Sequence, residues 1–404
     1  MSLQNTVQSI LNELCADPIT SVPGAVVFAA DRKGNTLAHA AAGVRGVDKP
    51  SEKMAPNQLF AIHSCTKLIT AIAAMQLVEQ GKLSLDAPID GILPELKGQD
   101  ILENGKRRKN TVPITLNHLL SHTSGQSYPF FNEQTRIELE KVGAAGFGCE
   151  KASIMAPLAS EPGTRWEYGT GIDWAGQAVE RVSGLDLDGY FKENIFKPLG
   201  ITEMTMRPDT GIPGGVKPRL ASMHKRGADG KISARDYLVE SNESKMEIQY
   251  GGAGLYGNAK EYCQILVALL NDGQHPNGGR ILKPESVKEL MRDRLPEKLV
   301  PDLERPIVAA QPEMSNPLTI LEGIPKQWAL AGCKTPEGVP NGRSGKSVWW
   351  AGIANHYWWL DQGDGTCGMI QTQLLPFFDA QIVPAFFFKI EPAVHQHVAA
   401  EGSA

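Results

Sequence analysis

The chain has 404 residues, of which 42% are hydrophobic and 21% charged, with a formal net charge of -5. That length buries a large core and allows two lobes, while the mild negative charge gives no electrostatic reason to expect nucleic acid or an anionic membrane as partner. No window approaches the uninterrupted apolar length of a membrane span, and the opening residues lack the basic-then-apolar pattern of a secretory signal. Six cysteines (Cys15, Cys65, Cys149, Cys263, Cys333, Cys367) stand without Cys-x-x-Cys spacing, so reduced thiols and a cytoplasmic location are expected.

Residues 3–16 read as an N-terminal helix. Ala25 to Ala30, a turn at 31–35, and Thr36 to Ala40 read as a β-hairpin. Leu59 to His63 reads as a short extended approach. From Ser64 onward, Leu68, Ile69, Ile72, Ala73, Leu77 and Val78 recur at helical spacing until Gly81. Lys106 to Lys109 is a basic cluster expected in a solvated turn. Helical signals then prevail, at Thr115–Leu120, Ile172–Val182 ahead of Gly184, and Leu187–Phe196, and Asn258 caps a further helix through Leu269. The stretch 290–345 is rich in Pro and Gly and reads as irregular loop. Strand-like runs return at Ser347–Leu360, read as an inner strand, and at Thr366–Leu375. A sheet built from both ends of the chain with helical sequence inserted gives an α/β layout. It divides into 1–90 plus 206–404 as the sheet domain and 91–205 as a mainly helical domain, with a site expected in the cleft between.

Ser64-Cys65-Thr66-Lys67 carries the strongest chemical signal. At a helix N-terminus, free N–H groups and the helix dipole favour developing negative charge, and Lys67 lies one turn on from Ser64. A serine needs a neighbouring base to become a nucleophile, and a desolvated lysine is one. Ser222 to Lys225 has the same spacing but runs into a charged turn and is not expected to be catalytic. Cys65 faces away from Lys67 and reads as packing.

A second constellation is Pro162-Gly163-Thr164 followed by Trp166, Tyr168 and Thr170 ahead of a helix. A phenol near a lysine ammonium can shuttle the serine proton, although the spacing alone favours a tyrosine packed at a helix start. The third is Trp349 to Trp359. Its Ala351-Gly352 pair either lets a substrate approach the backbone, so that the N–H of Ile353 helps bind an oxyanion, or makes a kink in a core strand.

Together with Ile114 to Gly125 and Gly251 to Leu255, these motifs resemble the serine β-lactamase and transpeptidase superfamily, on its class C, family VIII carboxylesterase and fungal acyltransferase branch. The greatest similarity in character is to the fungal statin side-chain acyltransferases. The resemblance spans residues 25–375 and implies an antiparallel sheet flanked by helices with an inserted helical lobe. It also implies Ser64 as nucleophile, Lys67 and Tyr168 sharing the general-base work, and the N–H groups of Ser64 and Ile353 as an oxyanion hole. Trp350, Ala351, Gly352, Thr170 and Tyr128 are the implied substrate-binding residues, with no cofactor and no metal. Two departures matter: Thr170 stands where β-lactamases have asparagine, and Trp350 where they have the lysine that grips a substrate carboxylate. Lys334-Thr335-Pro336 does not restore that motif, because proline lacks both glycine's openness and the N–H of a ladder.

The aromatic residues Tyr128, Phe130, Phe131, Trp349, Trp350, Tyr357, Trp358 and Trp359 are expected to line an apolar cleft or to fill plain core. No Gly-x-Ser-x-Gly elbow and no His-Glu-x-x-His occurs, Pro340 spoils a phosphate loop before Gly345-Lys346-Ser347, and His118 with His122 lacks a third zinc ligand. The expected activity is acyl transfer or hydrolysis on an ester or thioester of an apolar small molecule, with an acyl carrier among the candidate donors, in fungal secondary metabolism. A plain esterase, a β-lactamase-like hydrolase and a catalytically inactive binding relative are the alternatives.

Overall fold

The computed structural model describes residues 2–103, 105–144, 146–340 and 342–402. Helix α1, Leu3–Leu14, is capped by the Ser2 side chain and buries Leu3, Val7, Leu11 and Leu14, one stripe at helical spacing. The hairpin follows as β1 (Gly24–Asp31) and β2 (Thr36–Gly43). Helix α2, Thr66–Glu79, is buried on every side from Thr66 to Leu77, so it runs through the interior rather than along a surface. Helices α3 (Gly171–Ser183) and α4 (Ala259–Leu270) come next. The later strands are β3 (Gln327–Trp328), β4 (Cys333–Lys334), β5 (Ser347–Gly352), β6 (His356–Asp361) and β7 (Thr366–Gln371), and the chain closes with α5, Glu391–Gly402.

The seven strands form one antiparallel sheet in the order β2-β1-β7-β6-β5-β4-β3. Both ends of the chain therefore meet where β1 pairs with β7. Trp358 packs on Tyr262 of α4 while its neighbour Trp359 packs on His395 of α5, so these helices cover opposite faces of the sheet. Among the described residues no helix is long and apolar enough to cross a membrane.

Three local expectations are corrected. Ser347–Leu360 is two strands joined by a tight turn, not one, with Asn355 at φ 61° and Gly352 opposite His356. Leu374–Leu375 leaves the main sheet and pairs with Met223–Arg226. The basic cluster is the exposed strand Lys106–Lys109 of a small antiparallel ribbon with Asp100–Glu103, and its charges pair with acids: Lys109 with Asp100 at 2.8 Å, Arg108 with Glu161 at 2.8 Å. We propose the lobe boundaries near residues 91 and 205, with α2 as the element both lobes share: it packs on α3, while the turn before it packs on β5.

Candidate active site

Phe60–Ala61 pairs with Tyr256–Gly257, after which the chain turns at His63 (φ 45°) into a 3-10 turn, His63–Cys65, that runs directly into α2. Ser64 thus stands in the turn ahead of the helix, half-buried, and Lys67 in its first turn, 4% exposed. The Lys67 amine donates to Ser64 Oγ at 3.0 Å, to Tyr128 Oη at 2.9 Å and to the Gly252 carbonyl at 2.8 Å. These three contacts fix the head group against the serine.

Behind the lysine lies a buried carboxylate. Asp173, on the first turn of α3, accepts from the Gly252 N–H at 2.9 Å and from Tyr128 Oη at 3.4 Å. Burial raises its pKa, and the charge of Lys67 opposes that. A Cβ on residue 252 would meet Asp173 Oδ2 at 2.6 Å and Tyr128 Oη at 2.9 Å, so any side chain there would displace both from their present bonds. Tyr128, expected on the cleft wall, instead sits beneath Lys67, with burial and then Asp173 pushing its phenol well above its ordinary pKa. The family-like run Gly251 to Leu255 was legible, but nothing in the spacing linked it to Asp173.

Tyr168 lies on the cleft side of the same amine, with Lys67 Nζ 4.8 Å from its ring centroid. Its hydroxyl accepts from Trp350 Nε1 at 3.0 Å. His122 packs on the Tyr168 ring at 4.6 Å and is held neutral by burial and the nearby lysine. His118 is spent in a capping box with Thr115, so the two histidines do not converge on an ion. Thr170 is buried at the N-cap of α3 and does not reach the cleft.

The cleft itself measures about 1060 Å³ including its mouth, and Ser64, Tyr168, Trp350, Ala351, Gly352 and Ile353 all line it. At residue 352 a Cβ would sit 2.6 Å from the Ile62 carbonyl oxygen, so glycine lets the end of β5 close on the segment that carries Ser64. This approach brings Ile353 and Ser64 to one wall. Phe130, Phe131, Trp349 and Tyr357 line the cleft as expected, whereas Trp358 and Trp359 are core. The rest of the lining was missed: Ile307 and Leu318 come from the irregular stretch, and Phe377, Phe378 and Phe387 from beyond the last sheet strand.

The other candidates lie elsewhere. Ser222 Oγ accepts from Lys49, not Lys225, and Lys334 is paired with Asp293. Cys65 is fully buried, and burial raises its thiol pKa. Among the described residues, Asp361, Asp364 and His395 are close enough to share an ion, at the far end of the β5–β6 pair from Ser64. His395 is already ion-paired there with Asp364 and Glu391.

A model of the beta-lactamase family matches residues 12–384. The chain belongs to the beta-lactamase family. Within that family it is 32% identical over 375 residues to monacolin J acid methylbutanoyltransferase from Aspergillus terreus, covering 89% of this chain and 88% of the relative. It is also 32% identical to lovastatin esterase from Penicillium rubens, covering 86% of this chain and 88% of that one. The unliganded structure of simvastatin synthase from Aspergillus terreus superposes with a TM-score of 0.80 at 26% identity, covering 99% of this chain and 100% of that one. In this beta-lactamase-family chain the position expected to hold a carboxylate-gripping lysine is Trp350, whose indole is committed to Tyr168.

Proposed function

We propose that this chain is a cofactor-free serine acyltransferase or esterase acting on an ester or thioester of an apolar small molecule, in fungal secondary metabolism. The observation that carries it is the 3.0 Å contact between Lys67 Nζ and Ser64 Oγ at the base of an apolar cleft. Ser64 Oγ attacks the carbonyl carbon while its proton passes to the Lys67–Tyr168 pair. We assign the shuttle to Tyr168 rather than Tyr128, because Tyr168 faces the cleft while Tyr128 is closed off and its phenol is held protonated. The oxyanion rests on the N–H groups of Ser64 and Ile353. Collapse breaks the carbonyl–oxygen or carbonyl–sulfur bond, and the leaving alcohol or thiol takes the proton from the base.

The acyl-enzyme is discharged when the same base deprotonates an acceptor. An acceptor alcohol gives transfer and water gives hydrolysis, and both outcomes appear in the names of relatives, a methylbutanoyltransferase and an esterase. The dry, aromatic wall supports transfer, with a small-molecule thioester or an acyl carrier as donor. The test is turnover of p-nitrophenyl butyrate with and without an added apolar alcohol, in the wild type and in Ser64→Ala. New ester formed only by the wild type supports the reading, and unchanged turnover in Ser64→Ala rejects it.

A further inference from the structure

If the cleft holds the substrate as proposed above, its wall also specifies the substrate's charge. Phe130, Phe131, Ile307, Leu318, Phe377 and Phe387 dominate the lining. The polar groups on it are Ser64, Tyr168, Thr319, Glu322, the Tyr357 hydroxyl, which donates to Asn355, and the indole N–H groups of Trp166, Trp349 and Trp350. Ser64 is held by Lys67 and Tyr168 by Trp350. Glu322 is exposed at the rim, so the ionised group on the wall is an anion.

Among the described residues, three cations beside this wall are committed, and Arg235, close to buried His63, does not line it. Lys67 uses its donors on Ser64, Tyr128 and Gly252. Lys326 is buried and donates to the carbonyls of Leu321 at 3.1 Å and Ile324 at 2.7 Å. Arg343 is ion-paired with Glu391 and stacks on Trp349, 4.7 Å from its ring centroid. A carboxylate entering the cleft would exchange water for aromatic carbon and indole N–H groups, with no cation among the described lining residues to neutralise it.

We infer that this cleft accepts ligands that are uncharged along their buried length and rejects those carrying a carboxylate. The relative named for an acid, monacolin J acid methylbutanoyltransferase, then differs from this chain in substrate charge.

The test compares two butyrate esters of matched size, those of methyl para-(hydroxymethyl)benzoate and of the corresponding free acid. At neutral pH the first is uncharged and the second a carboxylate. The expected result is a kcat/KM at least ~100-fold lower for the carboxylate. Values within ~3-fold of each other overturn the inference. A second variant reads the wall directly: Thr319→Arg adds a cation at a half-buried lining position. It should raise the ratio of kcat/KM for the carboxylate to that for the methyl ester at least ~10-fold, and an unchanged ratio counts against the assignment. Calorimetric binding of the two parent alcohols to Ser64→Ala reads the same preference without turnover. There, binding of the neutral alcohol alone supports the inference even if neither ester is turned over, and equal binding of both rejects it.

Discussion

The indole N–H of Trp350 donates to the hydroxyl of Tyr168 at 3.0 Å, tying the substrate wall to the residue proposed to shuttle the serine proton. That bond uses one lone pair of the phenol oxygen and leaves the other to take the serine proton as the phenol's own proton passes to the Lys67 amine. Trp350→Phe keeps the ring against Trp328, a T-shaped neighbour at 4.5 Å, but removes the donor. The expected effect is a fall in kcat of about 10-fold, worth ~1.4 kcal/mol, with KM for an apolar ester changed less than ~3-fold. Steady-state kinetics on the purified variant checks this, and an unchanged kcat contradicts it.

Lys67 and Asp173 are buried ionisable groups linked through Tyr128 and through Gly252. Removing one partner of such a pair leaves the other uncompensated, at a cost of about 3 kcal/mol. Asp173→Asn should therefore lower Tm by several degrees and kcat by at least ~10-fold. Tyr128→Phe acts through the same bridge, so the double variant should lose clearly less than the sum of the two. Strict additivity in a double-mutant cycle would remove Tyr128 from the bridge.

Buried histidines contribute to opposite limbs of the pH–stability curve, with His122 and His356 acting in the same direction as His63. Burial alone would depress His395, but Asp364 and Glu391 raise it from 6.5 to about 9. A raised folded-state pKa stabilises fully below the unfolded value of 6.5, and that contribution, on the order of 3 kcal/mol, is lost as pH rises toward 9. His63 is the reverse case: burial lowers it to about 3, so stability falls as pH drops from 6.5 toward 3. Thermal melts across this range should peak near pH 6.5, and His395→Gln should flatten the alkaline limb alone. An alkaline limb of unchanged slope in that variant contradicts the assignment.

Much of this arrangement was legible because helices and motifs are local. Residues 3–16 read as the helix that became α1, Asn258 placed the start of α4, and Ser64-x-x-Lys67 placed the serine beside its lysine. The β5–β6 turn was not legible, since the small Ala351-Gly352 pair reads equally as a kink in one strand and Asn355, not a glycine, takes the left-handed conformation. Tyr128 carried a signal for an aromatic wall, but its partner Asp173 is 45 residues away and meets it only through the fold. The lining from Ile307, Leu318 and Phe377 to Phe387 comes largely from segments outside regular strands, which have no periodicity to read.

Intact-mass spectrometry after incubation with a short thioester donor tests the central claim most directly. The account predicts one acyl group per chain, mapped to the peptide containing Ser64, absent in Ser64→Ala, and discharged faster by an apolar alcohol than by water. Sustained turnover of the donor with no adduct on Ser64, or with the adduct mapped to another residue, would contradict it.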